Sequence, residues 1–233
     1  MDNEYILDMI DHMVKPLNPP VETFEKSARR SPFRILISVL LSARTRDTVT
    51  YQASEKLFAA ADSPQAMTRL DEKEIAALIY PAGFYQQKAK HIKEIATILS
   101  QTDRYSETGG IPSTFDDLTA LPGVGRKTAN LVLSLALGKP SIAVDTHVFR
   151  ISHRLGWATG KTPEKTEEEL KQAFPPESWN RINRLLVGFG QTLCKPIHPM
   201  CHVCDITAHC LYFKAMQEKT EKKIKKSKEK TTK

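Results

Sequence analysis

Apolar residues recur at helical spacing along most of this 233-residue chain, and this periodicity constrains the fold more than any other feature. The clearest stripe repeats every three or four positions and consists of Ala89, Ile92, Ile95, Ala96 and Leu99. No stretch shows sustained alternation of apolar and polar residues with the β-branched enrichment that marks strands. The sequence therefore predicts an all-α protein.

Local start signals place several of the helices. Ser63–Pro64 and Thr162–Pro163 each pair an N-cap residue with a proline at the first helical position. Asp71 and Glu74 have the spacing of a capping box, and Asp47 is a candidate N-cap for the helix after it. The apolar pattern predicts further helices over residues 3–14, 33–43, 146–155 and 179–189.

The net charge of +7 is concentrated at the C-terminal end. Residues 214–233 hold nine lysines and three glutamates, so this segment carries +6 and the remaining residues are nearly neutral. The overall charge therefore does not by itself identify a nucleic-acid-binding protein. We expect residues 214–233 to be a basic disordered tail, which is either a solvated terminus or an arm with salt-sensitive affinity for a polyanion.

No targeting signal is recognisable in the sequence. The chain opens with acidic residues where a signal peptide would be basic. The longest mainly aliphatic run, Ile35–Leu41, is far shorter than a membrane span. We expect a cytoplasmic protein in a reducing compartment.

The segment Leu121–Lys127 reads Leu-Pro-Gly-Val-Gly-Arg-Lys. Gly123 and Gly125 both permit positive φ, which favours a tight hairpin. Predicted helices over 115–121 and 126–137 flank it, so the pattern is helix, hairpin, helix. Backbone amides at the start of such a helix can bind a phosphate, although an ordinary turn between two helices has the same composition.

Lys127 lies in the first turn of the helix that follows the hairpin. With Asn130 and Ser134 it is predicted to form a polar stripe on an otherwise apolar helix. The positive end of the helix dipole and the neighbouring Arg126 disfavour its protonated form, which favours a nucleophilic amine. The alternative is a surface lysine that faces a phosphate.

Asp145 stands directly before a helix that is predicted to begin at Thr146. This position predicts an N-cap, and the backbone hydrogen bonds of an N-cap keep a carboxylate ionised. Such a group can stabilise a developing cation or accept a proton from an amine or a water molecule. A neutral lysine paired with an ionised aspartate is suited to attack on the sugar of a glycosidic bond.

The four cysteines fall in one segment with the spacing C-x6-C-x2-C-x5-C: Cys194, Cys201, Cys204 and Cys210. Without evidence of secretion, disulfides are not expected. Four thiolates in one loop can bind a zinc ion or an iron–sulfur cluster. The spacing alone leaves these two alternatives open.

These features together resemble the endonuclease III family of DNA glycosylases in the helix-hairpin-helix superfamily of base excision repair. The matching segments are residues 121–130, residues 143–150, the cysteine spacing, residues 40–43 and residues 83–89. The resemblance covers roughly residues 5–212 in order.

The resemblance implies two all-α lobes with double-stranded DNA as the partner. A helical barrel with the helix-hairpin-helix motif would span residues 21–138. A cluster lobe built from both termini would span residues 1–20 and 139–213. The four cysteines would bind a 4Fe–4S cluster. The DNA would contain a damaged base or an abasic site.

The resemblance also implies roles for individual residues. Lys127 would be the nucleophile that displaces the base and forms a Schiff base, and Asp145 would be its catalytic partner. Residues expected to contact DNA are Arg44, Phe84, Gly123, Val124, Gly125, Arg126, His147 and Lys195. Arg44 stands where many members have glutamine, and Phe84 stands where a smaller apolar residue is common, so the preference for the opposing base is open.

Three functions are compatible with the sequence. The first is a bifunctional glycosylase and abasic-site lyase that excises oxidised pyrimidines and nicks the strand by β-elimination. The others are a monofunctional mismatch-specific or adenine-specific glycosylase and a non-catalytic iron–sulfur protein that binds DNA. Lys127 favours the first. We expect a monomer without membrane association, located at the nucleoid if the source is a prokaryote.

Overall fold

The structure is a computed structural model that describes residues 2–20 and 31–231, with side chains described as far as residue 222. The helices, in chain order, are α1 (Asn3–Val14), α2 (Pro32–Ser42), α3 (Asp47–Ala60), α4 (Pro64–Met67), α5 (Glu72–Ile79), α6 (Tyr85–Ser100), α7 (Phe115–Thr119), α8 (Arg126–Leu137), α9 (Thr146–Leu155), α10 (Pro163–Ala173), α11 (Pro176–Thr192) and α12 (Leu211–Thr231). Short 3-10 turns lie at Lys15–Leu17, Ser106–Thr108, Cys201–Val203 and Thr207–His209. None of the residues in the described ranges forms a strand, and the all-α prediction is confirmed.

The chain divides into two compact units. The first, called here the hairpin unit, is Pro20–Ala143, and the second, called the cysteine unit, combines Met1–Pro19 with Val144–Lys233. We expected the second boundary at 138/139, five residues earlier. Residues 139–143 stay with the hairpin unit because the buried Asn130 side chain donates to the Ile142 carbonyl at 2.9 Å. The predicted start at residue 21 lies outside the described residues.

In the hairpin unit, α2 is the central helix. Nine of its eleven residues, Phe33 to Leu41, are buried, as the nearly continuous apolar run predicts. It begins at Ser31, whose hydroxyl accepts a hydrogen bond from the Arg34 amide at 3.2 Å. The helix packs against α3, α6 and α8. This arrangement buries the apolar faces of all three neighbours on one common core.

Helix α6 carries the predicted apolar stripe, and all five of its residues are buried. It packs against α4, α5 and α2. The predicted capping box at the start of α5 is confirmed, with Asp71 and Glu74 exchanging side-chain and backbone hydrogen bonds at 2.8 and 2.7 Å. Asp47, in contrast, is the first residue of α3 rather than its N-cap, because Arg46 occupies the cap position.

In the cysteine unit, α1 packs against α11, and α11 packs against α9. Polar contacts reinforce the first pair. The Ser178 hydroxyl donates to Glu4 at 2.6 Å, and Arg181 pairs with Asp8 at 2.6 Å. The N-terminal helix is therefore part of the same core as the C-terminal half of the chain.

The C-terminal segment corrects one prediction. The structure continues α12 from Leu211 to Thr231 where we expected a disordered tail from residue 214. The segment is rich in lysine and glutamate and contains no glycine or proline, so its intrinsic preference is helical. Among the helices within the described ranges, none is long and apolar enough to cross a membrane.

Candidate active site

The Leu121–Lys127 segment forms the predicted hairpin in the hairpin unit. The Val124 amide donates to the Leu121 carbonyl at 3.1 Å, and Gly123 adopts φ of +74°. Gly125 does not use positive φ. It has φ −89° and ψ 177° and is the N-cap of α8, so only one of the two glycines is needed for its left-handed conformation.

Gly123 is also required for close packing. A Cβ at this position would overlap the imidazole of His91 on α6. The hairpin therefore rests directly on α6. At Gly125 no heavy atom of the described residues lies within 4 Å of the point that a Cβ would occupy, which leaves that side of the hairpin open.

Lys127 is exposed in the first turn of α8. Its amine has no hydrogen-bond or ion-pair partner among the residues that the structure describes. No side chain caps the helix at Gly125. The predicted polar stripe is wrong at Asn130, which is buried and accepts a hydrogen bond from the Ser141 hydroxyl at 3.0 Å. Lys127 is therefore an isolated, accessible amine at a helix start.

Two other residues of the hairpin differ in what they can offer a ligand. Val124 is only 5% exposed and packs in the core of the hairpin unit, so only its backbone can contact DNA. Arg126 is exposed, and its guanidinium lies 5.2 Å from the centre of the Phe115 ring.

Arg44 and Phe84 come from two different loops of the hairpin unit and lie side by side. The Arg44 guanidinium is 5.7 Å from the centre of the Phe84 ring. Phe84 is 59% exposed although it is a large apolar side chain. Both residues adopt the left-handed conformation, with φ of +52° and +56°. We call these two residues the Arg44–Phe84 pair.

In the cysteine unit, Asp145 is the N-cap of α9, as predicted. Its Oδ1 accepts hydrogen bonds from the amides of His147 and Val148, both at 2.8 Å. Because Oδ1 makes both bonds, Oδ2 remains outside the cap. The His147 ring is half-buried, and its Nδ1 lies 3.3 Å from the Arg150 guanidinium.

The four cysteines line one small pocket in the cysteine unit, together with mainly apolar side chains. None of them forms a disulfide. Arg154 on α9 donates to the Cys194 sulfur at 3.2 Å, and the Ile206 amide hydrogen-bonds Cys204. Four sulfur atoms that line a common space, with hydrogen bonds to Cys194 and Cys204, form a donor set that fits a thiolate-bound metal group.

The thiols are poorly suited to remain without a cation. Burial raises the pKa of Cys204 to about 11, and it also raises the pKa of Cys201 and of Cys210. At neutral pH these side chains are protonated unless a metal displaces their protons. The segment therefore has the chemistry of a metal centre that forms with release of protons.

Lys195 is exposed directly after the first cysteine. Its carbonyl accepts a hydrogen bond from Arg154 at 2.8 Å, and the carbonyl of Pro196 accepts another at 3.0 Å. The backbone of this loop is thus attached to α9 while the lysine side chain remains accessible.

Comparisons with known proteins agree with this geometry. The family model for HhH-GPD superfamily base excision DNA repair proteins matches residues 37–176. Endonuclease III of Thermotoga maritima is 44% identical over 207 residues, which cover 88% of this chain and 94% of that protein. Endonuclease III-like protein 1 of Mus musculus is 44% identical over 181 residues, which cover 76% of this chain and 59% of that protein.

A solved structure of a trapped endonuclease III–DNA covalent intermediate, an estranged-adenine complex, has the same fold. It matches with a TM-score of 0.79 and 33% identity over 92% of this chain and 96% of that one. The chain belongs to the endonuclease III family of the HhH-GPD superfamily. The resemblance that we inferred from the motifs is confirmed.

In this member of the endonuclease III family, three sets of predicted residues are assembled, each within one unit. These are the hairpin with Lys127, the Arg44–Phe84 pair and the four cysteines.

Sequence reasoning assigned no role to three supporting side chains: Lys88, which lies within the matched segment 83–89, His91 and Arg154. A signal existed for Lys88, which falls on the apolar face of α6, three residues after Tyr85 and four before Ile92. His91 and Arg154 act through tertiary contacts, which have no local pattern.

Proposed function

We propose that this protein is a bifunctional DNA N-glycosylase with abasic-site lyase activity in base excision repair, with oxidised pyrimidines as its substrates. The observation that carries this proposal is the exposed amine of Lys127. It stands without a partner among the described residues at the start of α8. A nucleophile must be free to reach its substrate, and this amine meets that requirement.

Lys127 is the nucleophile in this mechanism. The damaged nucleotide leaves the base stack, because C1′ is not accessible inside the duplex. The Lys127 amine forms a bond to C1′ as the glycosidic bond breaks, and the base leaves with a proton. One proton of the amine leaves with the base, and the other passes to the ring oxygen O4′ as the C1′–O4′ bond breaks, which gives the Schiff base. Loss of a proton from C2′ then breaks the C3′–O bond and nicks the strand, and water releases the lysine.

Asp145 supports this step from the start of α9. Its Oδ1 accepts the two amide hydrogen bonds of the cap, which fix the orientation of the carboxylate. An ionised carboxylate stabilises the positive charge that develops on the sugar as the base departs. It can also accept a proton from the attacking amine through Oδ2. The pairing of Asp145 with Lys127 is part of the proposal.

The four cysteines are proposed to hold a 4Fe–4S cluster. In the part of the chain that the structure describes, no three His, Cys, Asp or Glu side chains are close enough to hold one metal ion. The four cysteines line one pocket and can supply the four thiolates of a 4Fe–4S cluster, and the resemblance to the endonuclease III family favours this cluster over zinc. The bound group would fix the loop that presents Lys195. Absorbance in the visible region would support it, and a colourless protein with stoichiometric zinc would refute it.

Borohydride trapping on a duplex with an abasic site tests the proposed function. The reagent reduces a Schiff base to a stable bond, so the protein should form a covalent adduct with the DNA. The Lys127→Gln variant should form none. Lys139→Gln is the matched control, because Lys139 lies just beyond the other end of α8 and donates to the Ser113 carbonyl. It should trap like the parent protein.

The outcomes separate the alternative functions. Base excision without an adduct would indicate a monofunctional glycosylase. DNA binding without excision or an adduct would indicate a non-catalytic DNA-binding protein. An adduct that persists in Lys127→Gln would show that another amine is the nucleophile. We propose that the protein acts where DNA is repaired, which is at the nucleoid if the source is a prokaryote.

A further inference from the structure

Lys88 is a buried lysine that the proposed reaction does not use. It lies in the first turn of α6 and is only 6% exposed. Burial lowers the pKa of its amine to about 8. A buried ammonium group is costly unless all of its hydrogens are bonded, so its position requires an explanation.

The Lys88 amine has three acceptors, all in the segment that spans the end of α2 and the residues after it. Nζ donates to the Leu41 carbonyl at 2.7 Å, to the Ala43 carbonyl at 2.6 Å and to the Thr45 hydroxyl at 2.8 Å. An ammonium group has three N–H bonds, so its donor capacity is fully used. The two residues on either side of Arg44 are thereby attached to the start of α6.

The same contacts reach the loop that carries Phe84. The Gly83 amide donates to the Thr45 hydroxyl at 3.1 Å, and the Lys88 amide donates to the Phe84 carbonyl at 3.0 Å. A Cβ at Gly83 would overlap the Arg44 carbonyl. Thr45 and Lys88 therefore connect the two loops, and the small Gly83 lets them touch.

The conformation of the Arg44–Phe84 pair shows why such a connection is needed. Both residues have positive φ, a conformation that is unfavourable for a residue with a side chain. Conformations of this kind persist only where surrounding contacts determine them. Lys88 and Thr45 make such contacts with the residues adjacent to Arg44 and Phe84 in the sequence.

We propose that Lys88, acting through Thr45, is a positioning residue that holds the Arg44–Phe84 pair in the orientation in which it meets the strand opposite the lesion. This inference rests on the proposed function. The Arg44 guanidinium and the Phe84 ring project as one rigid unit. Rigid presentation lowers the entropic cost of inserting the pair into the duplex.

The main test is Thr45→Val, which removes the hydroxyl at nearly constant volume, with Thr45→Ser as the variant that restores it. Single-turnover strand cleavage is measured against enzyme concentration on two substrates. One is a duplex with an abasic site opposite a base, and the other has a one-nucleotide gap opposite that site. On the full duplex the half-saturating concentration should rise roughly threefold to tenfold in Thr45→Val, because the hydrogen bonds that the hydroxyl accepts from Lys88 and Gly83 are lost. The maximal rate should be unchanged.

On the gapped duplex, Thr45→Val should match the parent protein, because the nucleotide that the pair meets is missing. Thr45→Ser should match it on both substrates. An unchanged half-saturating concentration on the full duplex would overturn the proposal, and so would an equal loss on both substrates. The proposed function fails separately if the parent protein forms no borohydride adduct.

Lys88→Met provides a second variant with a matched control, Lys93→Met. Lys93 lies on the same helix and donates to the Thr68 and Leu70 carbonyls, both at 2.6 Å, but the loop that it holds carries none of the residues expected to contact DNA. Both substitutions should lower the melting temperature. Only Lys88→Met should raise the half-saturating concentration on the full duplex, and equal behaviour of the two variants would contradict the positioning role.

Discussion

At the scale of single residues, the surroundings of a charged group decide what it can do. Lys88 and Lys127 belong to the same unit, yet the amine of Lys88 is enclosed by three acceptors, whereas Lys127 is exposed. A nucleophilic amine must reach a carbon atom of the substrate. Of these two lysines, only Lys127 satisfies that requirement, and Lys88 is restricted to positioning.

Asp145 combines a structural and a proposed chemical role, and these can be separated. In Asp145→Asn the amide oxygen can still accept the hydrogen bonds from His147 and Val148, because asparagine is as good an N-cap as aspartate. The negative charge is lost. We expect base excision to slow roughly 100-fold to 1,000-fold, the usual cost of removing an electrostatic stabiliser, while the melting temperature and DNA affinity change little.

Asp71→Asn is the control for this substitution. Asp71 is also an N-cap aspartate, but it belongs to the capping box of α5. Its replacement should leave excision unchanged. Two results would show that the carboxylate of Asp145 acts through the cap and not through its charge. One is unfolding of Asp145→Asn, and the other is an equal loss of base excision in Asp145→Asn and Asp71→Asn.

At the scale of elements, the hairpin depends on one glycine more than on the other. Gly123 has positive φ and no room for a Cβ beside His91, whereas Gly125 has ordinary dihedral angles. Gly123→Ala should reduce the free energy of unfolding by about 2 kcal/mol or more. Gly125→Ala should cost about 0.5–1 kcal/mol, as expected when glycine at an N-cap is replaced by alanine. Urea denaturation of both variants measures the difference.

A double variant separates the two causes at Gly123. Adding His91→Ala to Gly123→Ala removes the overlap but leaves the strain of positive φ. The double variant should therefore be less destabilised than the sum of the two single variants, because the two residues touch. If the changes in the free energy of unfolding add exactly, the contact between the hairpin and α6 does not contribute to stability.

Elements with strong local signals were predictable from the sequence. Helices α8 and α9 begin and end at the predicted residues, and the Ser63 and Thr162 caps form as expected. The burial of the α6 stripe followed from its periodicity alone. These features depend on neighbours within a few residues, which the sequence displays directly.

Features that depend on distant residues were not predictable. The inward orientation of Asn130 requires the carbonyl of Ile142, and the left-handed conformations of Arg44 and Phe84 depend on contacts between two loops. The helical C-terminal segment was missed for another reason. Its high lysine content gives it a large net charge, which is typical of disordered segments and led to the prediction. Lysine also has a high intrinsic helix propensity, which favours the helix that the structure shows.

At the scale of the whole molecule, the charge distribution sets the salt dependence that DNA binding should show. Most of the net charge of +7 comes from residues 214–233. Helix α12 is attached to the cysteine unit near its start. The Arg154 guanidinium lies 4.3 Å from the centre of the Tyr212 ring, and Gly156 leaves room for Leu211. Removal of the residues that follow should therefore preserve these contacts.

A chain ending at residue 213 should bind DNA with a weaker dependence on salt. Each phosphate that a lysine neutralises contributes roughly 0.9 to the slope of log affinity against log salt, so the slope should become shallower by that amount for each tail lysine that contacts DNA. Affinity for a duplex with an abasic site is measured by fluorescence anisotropy from low to moderate salt.

The control is the full chain with the tail lysines replaced by arginine, which keeps the charge and should keep the slope. Equal slopes for the truncated and full chains would mean that the tail does not contact DNA, and that the affinity comes from the nearly neutral remainder through local groups such as Lys195 and the hairpin.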